Sequence, residues 1–136
     1  MAERVRVVDY FYTTVSNKPG EGARALRVLS DAGVNLLAFS GFPAGRQAQL
    51  DFIPEDPQAF RAAARRAKWK LTGPKRVFLI EGDDKVGAGA DLMSTLAGAN
   101  INVTAIDAVC SGGGRYGVLL WVAPSDVRRA AKLLGV

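Results

Sequence analysis

An internal repeat constrains the fold of this chain more than any other feature of its sequence. Residues 17–36 and 84–103 align without a gap at an offset of 67, the difference between 85 and 18. The alignment pairs Lys18 with Lys85, Gly20 with Gly87, Gly22 with Gly89, Leu29 with Leu96 and Asn35 with Asn102. Because glycines and asparagines outside the apolar positions also coincide, the repeat indicates two copies of one supersecondary unit.

Each copy predicts the same order of elements, which is strand, helix, strand, strand, helix. Short apolar, β-branched and aromatic runs predict the strands. They are 10–15, 34–40 and 47–53 in copy one, and 77–82, 101–109 and 116–122 in copy two. Gly-rich connections at 40–46 and 111–115 join the second and third strands of each copy.

Apolar spacing predicts two helices in each copy, enough to cover one face of a sheet. The second helices have apolar residues at i, i+3, i+4 and i+7: Phe60, Ala63, Ala64 and Ala67, then Val127, Ala130, Ala131 and Leu134. The first helices are expected to bury Ala23, Leu26, Leu29 and Ala32, then Ala90, Met93 and Leu96. Asp56-Pro57 and Ser125-Asp126 are expected to cap the second helices.

A final strand would complete a βαββαβ unit in each copy. Lys70–Thr72 can supply a short one for copy one, whereas copy two ends at Val136 directly after its helix. The last strand of copy two is therefore absent, supplied by the segment from Val5 to Asp9, or supplied by another molecule. The predicted fold class is α+β, with tandem ferredoxin-like βαββαβ modules at 1–70 and 71–136, antiparallel sheets and helices packed on one face.

The repeat resembles the ACT domain, a βαββαβ module that senses amino acids in regulated metabolic enzymes. The resemblance rests on a strand followed by Asn17-Lys-Pro-Gly20, a helix ending in Asp31-Ala-Gly-Val, and Asn35 before the next strand. It covers nearly the whole chain as two copies. Copy two departs from the pattern, with Asp84 for the loop asparagine and Val86 for the proline.

The resemblance implies that the strand–helix loop and the asparagine after the helix line a ligand site between paired modules. The residues expected to bind the ligand are Asn17, Gly20, Glu21, Gly22, Asn35 and Leu36 in copy one, and Asp84, Gly87 and Asn102 in copy two. A helix starting at Gly20 offers free amides and a positive dipole end to a carboxylate. A turn or strand-start role for each asparagine and for Asp84 stays open.

Composition excludes several kinds of chemistry. The chain has no histidine and one cysteine, so it lacks the usual neutral-pH general base, the commonest metal ligand and any internal disulfide. We therefore expect no catalytic residues, no metal and no cofactor, and we interpret Cys110 as a small apolar filler. No apolar run is long enough to span a membrane, the start of the chain lacks a signal peptide pattern, and a cytoplasmic location is expected.

Seven basic residues lie between Asp56 and Glu81 with no acid among them: Arg61, Arg65, Arg66, Lys68, Lys70, Lys75 and Arg76. Such a cluster can attract nucleic acid, but no aromatic RNA-binding motif lies on a predicted strand. A solvated helix face is favoured over nucleic acid as a partner.

The sequence thus predicts a non-enzymatic regulatory protein that binds a free amino acid, forms a homodimer and acts on a regulated protein partner. Two alternatives stay open. One is a transcriptional or RNA-linked regulator that uses the basic second helix, and the other is an assembly module with a vestigial ligand site.

Overall fold

The computed structural model describes residues 3–136, which form six strands and four α-helices. The strands are β1 Arg4–Ser16, β2 Leu36–Ala44, β3 Gln47–Pro54, β4 Thr72–Asp83, β5 Val103–Val109 and β6 Arg115–Val122. The helices are α1 Glu21–Asp31, α2 Pro57–Arg66, α3 Ala88–Gly98 and α4 Val127–Leu134. A 3-10 turn at Pro124–Asp126 precedes α4. The predicted α+β class is confirmed.

The chain divides into two compact units, each built around one copy of the repeat. The copy-one unit is Asp9–Lys75, and the copy-two unit combines Met1–Val8 with Arg76–Val136. The predicted domains, 1–70 and 71–136, stay a prediction, and the first two residues of the former lie outside the described residues. Two strands, β1 and β4, each begin in one unit and end in the other.

The copy-one unit has the strand order β2-β3-β1-β4, in which the first four residues of β4 are the fourth strand. This order, with one helix after β1 and another after β3, is that of a ferredoxin-like βαββαβ fold. Strand β3 pairs antiparallel with both β1 and β2. The strand predicted at 70–72 is part of β4, which begins at Thr72 and continues to Asp83.

The copy-two unit has the same arrangement, with the order β1-β4-β6-β5. Its fourth strand is the amino-terminal part of β1, so the segment before copy one supplies what copy two lacks. Val5 and Val7 from this segment pack against the core of copy two. Of the three sources left open by the sequence, the chain's own amino terminus is the one that the fold uses.

The core of the copy-one unit is aromatic. Phe11 on β1, Phe52 on β3 and Phe60 on α2 are fully buried, with ring centroids 5.0 Å apart for Phe11–Phe60 and 5.2 Å for Phe52–Phe60. Trp69, after α2, stacks on Phe52 at 5.5 Å. Leu29 of α1 belongs to the same cluster, so side chains of both helices pack on one face of the strands.

The core of the copy-two unit is mostly aliphatic. Leu92 and Leu96 on α3 and Ala130 on α4 pack on alternate residues of the strands, including Ile80 and Leu120. The predicted stripe of α4 is confirmed, since Val127, Ala131 and Leu134 also pack against this core.

The predicted stripes of the first helices are partly wrong. Leu29 and Leu96 are buried as expected, but their partners are Ala25 and Leu92 at i−4. Leu26 and Met93 keep 36% and 38% of their surface exposed. Residues four apart lie almost directly above one another along a helix, so Ala25 with Leu29, and Leu92 with Leu96, form a nearly straight row. Each helix is rotated so that this row faces the sheet.

The two expected caps differ. Asp56 caps α2 as predicted, accepting hydrogen bonds from the backbone N–H groups of Gln58 and Ala59 at 3.0 and 3.2 Å. At α4 the prediction is wrong: no side chain caps the helix, and the Asp126 carboxylate accepts a hydrogen bond from Arg129 at 3.0 Å. The connection at 40–46 is also shorter than predicted, since β2 extends to Ala44.

Backbone irregularities repeat at the same offset as the sequence. Gly20 and Gly87, which begin α1 and α3, have left-handed φ values of 92° and 87°. Strands β2 and β5 each shift register at their start, between Leu36 and Ala38 and between Val103 and Ala105. The repeat therefore fixes local backbone geometry as well as apolar spacing.

We expect Val7→Ala to lower the free energy of unfolding by about 1–2 kcal/mol, because Val7 fills space against the copy-two core. Val86→Ala is the matched control, since Val86 is fully exposed and its loss should cost less than about 0.5 kcal/mol. Urea denaturation followed by tryptophan fluorescence measures both values. Equal effects would show that the amino-terminal strand contributes no packing to copy two.

Tyr116 on β6 joins the amino terminus through a hydrogen bond that its hydroxyl donates to the Glu3 carboxylate. Burial, and then this hydrogen bond to a negative group, raises the pKa of Tyr116 from 10.0 to about 12. The folded chain therefore keeps the neutral hydroxyl over a pH range in which the unfolded chain ionises.

The stabilisation from Tyr116 should be complete below pH 10 and should be lost as the pH rises from 10 to about 12. In Tyr116→Phe this part of the fall should be absent, so the stability of the variant should depend less steeply on pH in that range. Denaturant unfolding at a series of alkaline pH values tests this expectation. Parallel pH profiles for the two proteins would contradict it.

Candidate ligand-binding site

The predicted loop of copy one lies exposed between β1 and α1. Asn17 is exposed, and Gly20 begins the helix with no side chain capping it. Apart from its chain neighbours and the backbone of α1, a Cβ atom added at Gly20 or Gly22 would meet no atom within 4 Å. The space over the first turn of α1 is therefore open to a ligand.

Glu21 gives the first turn of α1 a carboxylate of its own. Its side chain is only 13% exposed and pairs with Arg24 at 3.0 Å and Lys18 at 3.8 Å. A negative group at this position is stabilised by the helix dipole. Glu21 consequently occupies part of the positive region in which the sequence predicts a ligand carboxylate, while Lys18 and Arg24 keep cations beside it.

Asn35 and Leu36 lie at the opposite end of α1. The Asn35 side-chain amide donates a hydrogen bond to the Glu55 carboxylate at 3.1 Å, and the Glu55 backbone N–H donates to the Asn35 carbonyl at 3.0 Å. Leu36 starts β2 and packs against the copy-one core. An eleven-residue helix is about 16 Å long, so copy one does not bring Asn35 and Gly20 together.

Copy two places its predicted residues in the same positions with different neighbours. Gly87 begins α3 and Asn102 precedes β5, and both are exposed. The Asp84 backbone N–H donates to the Gly114 carbonyl at 2.8 Å, so this residue holds the loop before β6. Leu36 pairs with Pro54 and Val103 with Val122. Continuing each register by one residue places Asn35 opposite Glu55 and Asn102 opposite Ala123, so Asn102 faces no equivalent acid.

Glu55 is the residue of this region that the sequence did not single out. Glu55 is adjacent to Asp56 at the boundary between β3 and α2, where acidic residues commonly serve as caps or turn residues. Asp56 takes the capping role, and Glu55 instead binds Asn35. Asn35 directly precedes β2 and Glu55 directly follows β3. Predicting that the two residues meet requires the register of these strands, which no local sequence pattern specifies.

Cys110 is exposed, so its interpretation as an apolar filler is wrong. A hydrogen bond with Asp84, then desolvation by neighbouring atoms and the negative charge of Asp84, raise the pKa of the Cys110 thiol. Since thiolate is the reactive form, this environment disfavours nucleophilic chemistry at Cys110.

The seven basic residues from Arg61 to Arg76 are all exposed. Among residues 3–136, no group of three or more His, Cys, Asp or Glu side chains is placed to hold a metal ion. Within the same range, no helix combines the length and apolar character needed to cross a membrane.

No protein-family model matches the sequence, and no curated protein matches it. Solved structures do. A Bacteroides thetaiotaomicron protein superposes with a TM-score of 0.83 at 18% identity, over 96% of this chain and 88% of that one. The ligand-free regulatory subunit of aspartate kinase from Thermus thermophilus gives 0.66 at 12% identity, over 98% and 95%.

A structure of aspartokinase alpha and beta subunits gives a TM-score of 0.65 at 18% identity, over 98% of this chain and 95% of that one. At such identities the similarity establishes the fold. It supports the ACT-like α+β fold that the repeat predicts.

We expect Asn35→Ala to lower the free energy of unfolding by about 0.5–1.5 kcal/mol, because it removes the hydrogen bond to Glu55. Asn102→Ala is the matched control and should change stability by less than about 0.5 kcal/mol. Thermal and urea denaturation provide both values. An equal loss in the two variants would show that the Glu55 pairing adds no stability.

Proposed function

We propose that this protein is a non-enzymatic regulator that binds a free amino acid through the loop before α1. The fold is shared with the regulatory subunit of aspartate kinase, which supports a regulatory role. Asn17, Gly20, Glu21 and Gly22 form the proposed site in copy one, with Asn35 and Leu36 contributed by a paired module.

Gly22 is the observation that carries the proposal. Gly22 is the second residue of α1, where glycine has a lower helix propensity than alanine, and no atom outside its chain neighbours and the backbone of α1 lies within 4 Å of a Cβ at this position. The fold therefore gives no packing reason for glycine there. A ligand that contacts the backbone of the first turn supplies one, since its carboxylate can accept hydrogen bonds from the free amides.

Lys18 and Arg24 favour the same ligand chemistry in copy one. Both are largely exposed beside the start of α1, with side-chain exposures of 63% and 74%. Copy two has Asp84 and Asp91 at the positions of Asn17 and Arg24. Because acidic groups repel a carboxylate, we assign ligand binding to copy one and a supporting role to copy two.

The distance between the two predicted parts of the site requires a second module. Gly20 and Asn35 lie at opposite ends of α1, so one amino acid contacts both kinds of residue only if another module presents its Asn to this loop. A homodimer meets this requirement, and we propose that a regulated protein partner responds to its occupancy.

The alternative is a nucleic-acid-linked regulator. Its support is the run of exposed basic residues on α2 and beyond, in a chain of net charge +5. These basic residues are distant in the sequence from Gly20 and Asn35. Substitutions can therefore test nucleic-acid binding and amino-acid binding separately.

A thermal-shift screen against the common amino acids tests the proposal. A ligand at about 100 times its dissociation constant should add roughly 2.7 kcal/mol of stability. Gly22→Ala should stabilise the free protein through helix propensity yet lose the ligand response, and Asn35→Ala should lose it too. Gly89→Ala, the matched control in copy two, should retain the response.

The response of the control decides which copy binds the ligand. Loss of the shift in Gly22→Ala alone supports the assignment to copy one. A flat screen with wild-type protein, or an unchanged response in Gly22→Ala, contradicts the proposal.

A further inference from the structure

An arginine of copy two binds the carboxyl end of α3. Arg129 on α4 donates hydrogen bonds to the carbonyls of Ala99 and Asn100, at 2.8 and 3.3 Å. It also pairs with the Asp126 carboxylate at 3.0 Å. Helix α3 has no basic residue in its own last turn. The guanidinium of α4 therefore supplies the cation that the negative end of the α3 dipole favours.

Copy one has the acceptors of this contact without its donor. The repeat places Ala62 where copy two has Arg129. The backbone at the helix end is alike in both copies, since Gly33 and Asn100 have left-handed φ values of 71° and 58°. Helix α1 likewise has no basic residue in its last turn. Within residues 3–136, no hydrogen bond reaches the carbonyl of Ala32 or Gly33.

Ala32 also lines an open groove of about 350 Å³ between α1 and α2. The other apolar residues of the lining are Val28, Ala63 and Ala67. At the position of Ala67, copy two has Leu134, which packs against the copy-two core. Because alanine is smaller than leucine, copy one has more room at this wall than copy two. The groove thus gives a small molecule an apolar surface next to the free carbonyls.

Opposite charges line the two walls of the groove. Asp31 lies on α1 and Arg66 on α2. Neither side chain forms an ion pair or a hydrogen bond within the part of the chain that the structure describes. Copy two has Gly98 and Leu133 at the equivalent positions. The copy-one groove can therefore hold a cationic group beside Asp31 and an anionic group beside Arg66.

We propose that this groove binds a small molecule that carries both a guanidinium group and a carboxylate, as free arginine does. The guanidinium donates to the carbonyls of Ala32 and Gly33 and pairs with Asp31, in the way that Arg129 binds α3. The carboxylate pairs with Arg66, and the methylene chain lies along the apolar lining. This site is at the carboxyl end of α1, an eleven-residue helix about 16 Å long. It is separate from the loop before α1 and does not depend on ligand binding there.

Titration of ¹⁵N-labelled protein with L-arginine, followed through the backbone amide signals, tests the site. Signals of residues 31–34 and 63–67 should shift saturably. Those of 98–101 and 130–134 should not, because Arg129 already holds the equivalent position. L-Citrulline, the neutral isostere, and agmatine, which lacks the carboxylate, should each bind about tenfold more weakly, since each loses a charge-assisted contact.

Substitutions of both walls test the contacts. Asp31→Asn should weaken L-arginine binding about tenfold. Asp91→Asn, which removes the same charge at an exposed position of α3, is the matched control and should bind as wild type does. Ala62→Arg should abolish binding and raise the midpoint of thermal unfolding, because the new guanidinium reaches the acceptors itself. Gln58→Arg adds the same side chain at another exposed position of α2 and should leave binding unchanged.

The proposal is overturned if wild-type protein shows no saturable shift at 31–34 and 63–67. Equal binding of L-citrulline and L-arginine, or undiminished binding to Ala62→Arg, also contradicts it. Shifts confined to residues 17–24 would report a ligand at the loop before α1 and would likewise overturn a site at the other helix end. Retained shifts at 31–34 in Gly22→Ala support the separation of the two sites.

Discussion

The sheet of each unit needs a fourth strand, and the topology of the chain follows from that requirement. Each repeat encodes a strand, a helix, two strands and a helix, and a three-stranded sheet would leave the first strand of each copy exposed at an edge. The chain solves this with two long strands. The beginning of β4 completes copy one, and the beginning of β1 completes copy two. Residues that precede the repeat thereby supply copy two with backbone hydrogen bonds and with the apolar contacts of Val5 and Val7.

The helix start of copy one combines features that helix stability alone does not explain. Gly20 suits the left-handed turn into the helix, where other residues would be strained. Gly22, two residues later, weakens the helix and packs against nothing. Glu21 between them stabilises the helix end and draws Lys18 and Arg24 toward it. The first turn thus has free amides beside two cations that already pair with Glu21, and it is the region in which we propose that a small carboxylate ligand binds.

Divergence between the copies gives them different surface contacts without changing their fold. Copy one pairs Asn35 with Glu55, whereas copy two has Ala123 at that place. Copy two uses Asp84 in the loop contact with Gly114 and in the hydrogen bond with Cys110. The apolar and glycine positions that set the backbone stay matched, while Arg24 on α1 corresponds to Asp91 on α3. The fold was thus retained by packing while the surfaces became distinct.

The amino-acid sequence is sufficient to predict the repeat, the order and approximate bounds of its elements, and the stripes of α2 and α4, because apolar periodicity and glycine placement are local properties. It also marked the exposed glycine loops of both copies, although their use as a ligand site is still a prediction. Three further features are seen in the folded chain alone: the source of the last strand of copy two, the rotation of α1 and α3, and the pairing of Asn35 with Glu55. These features depend on which distant segments of the chain pack together. Several segments could form the same hydrogen bonds and bury similar apolar surface, so no local sequence pattern specifies the pairing.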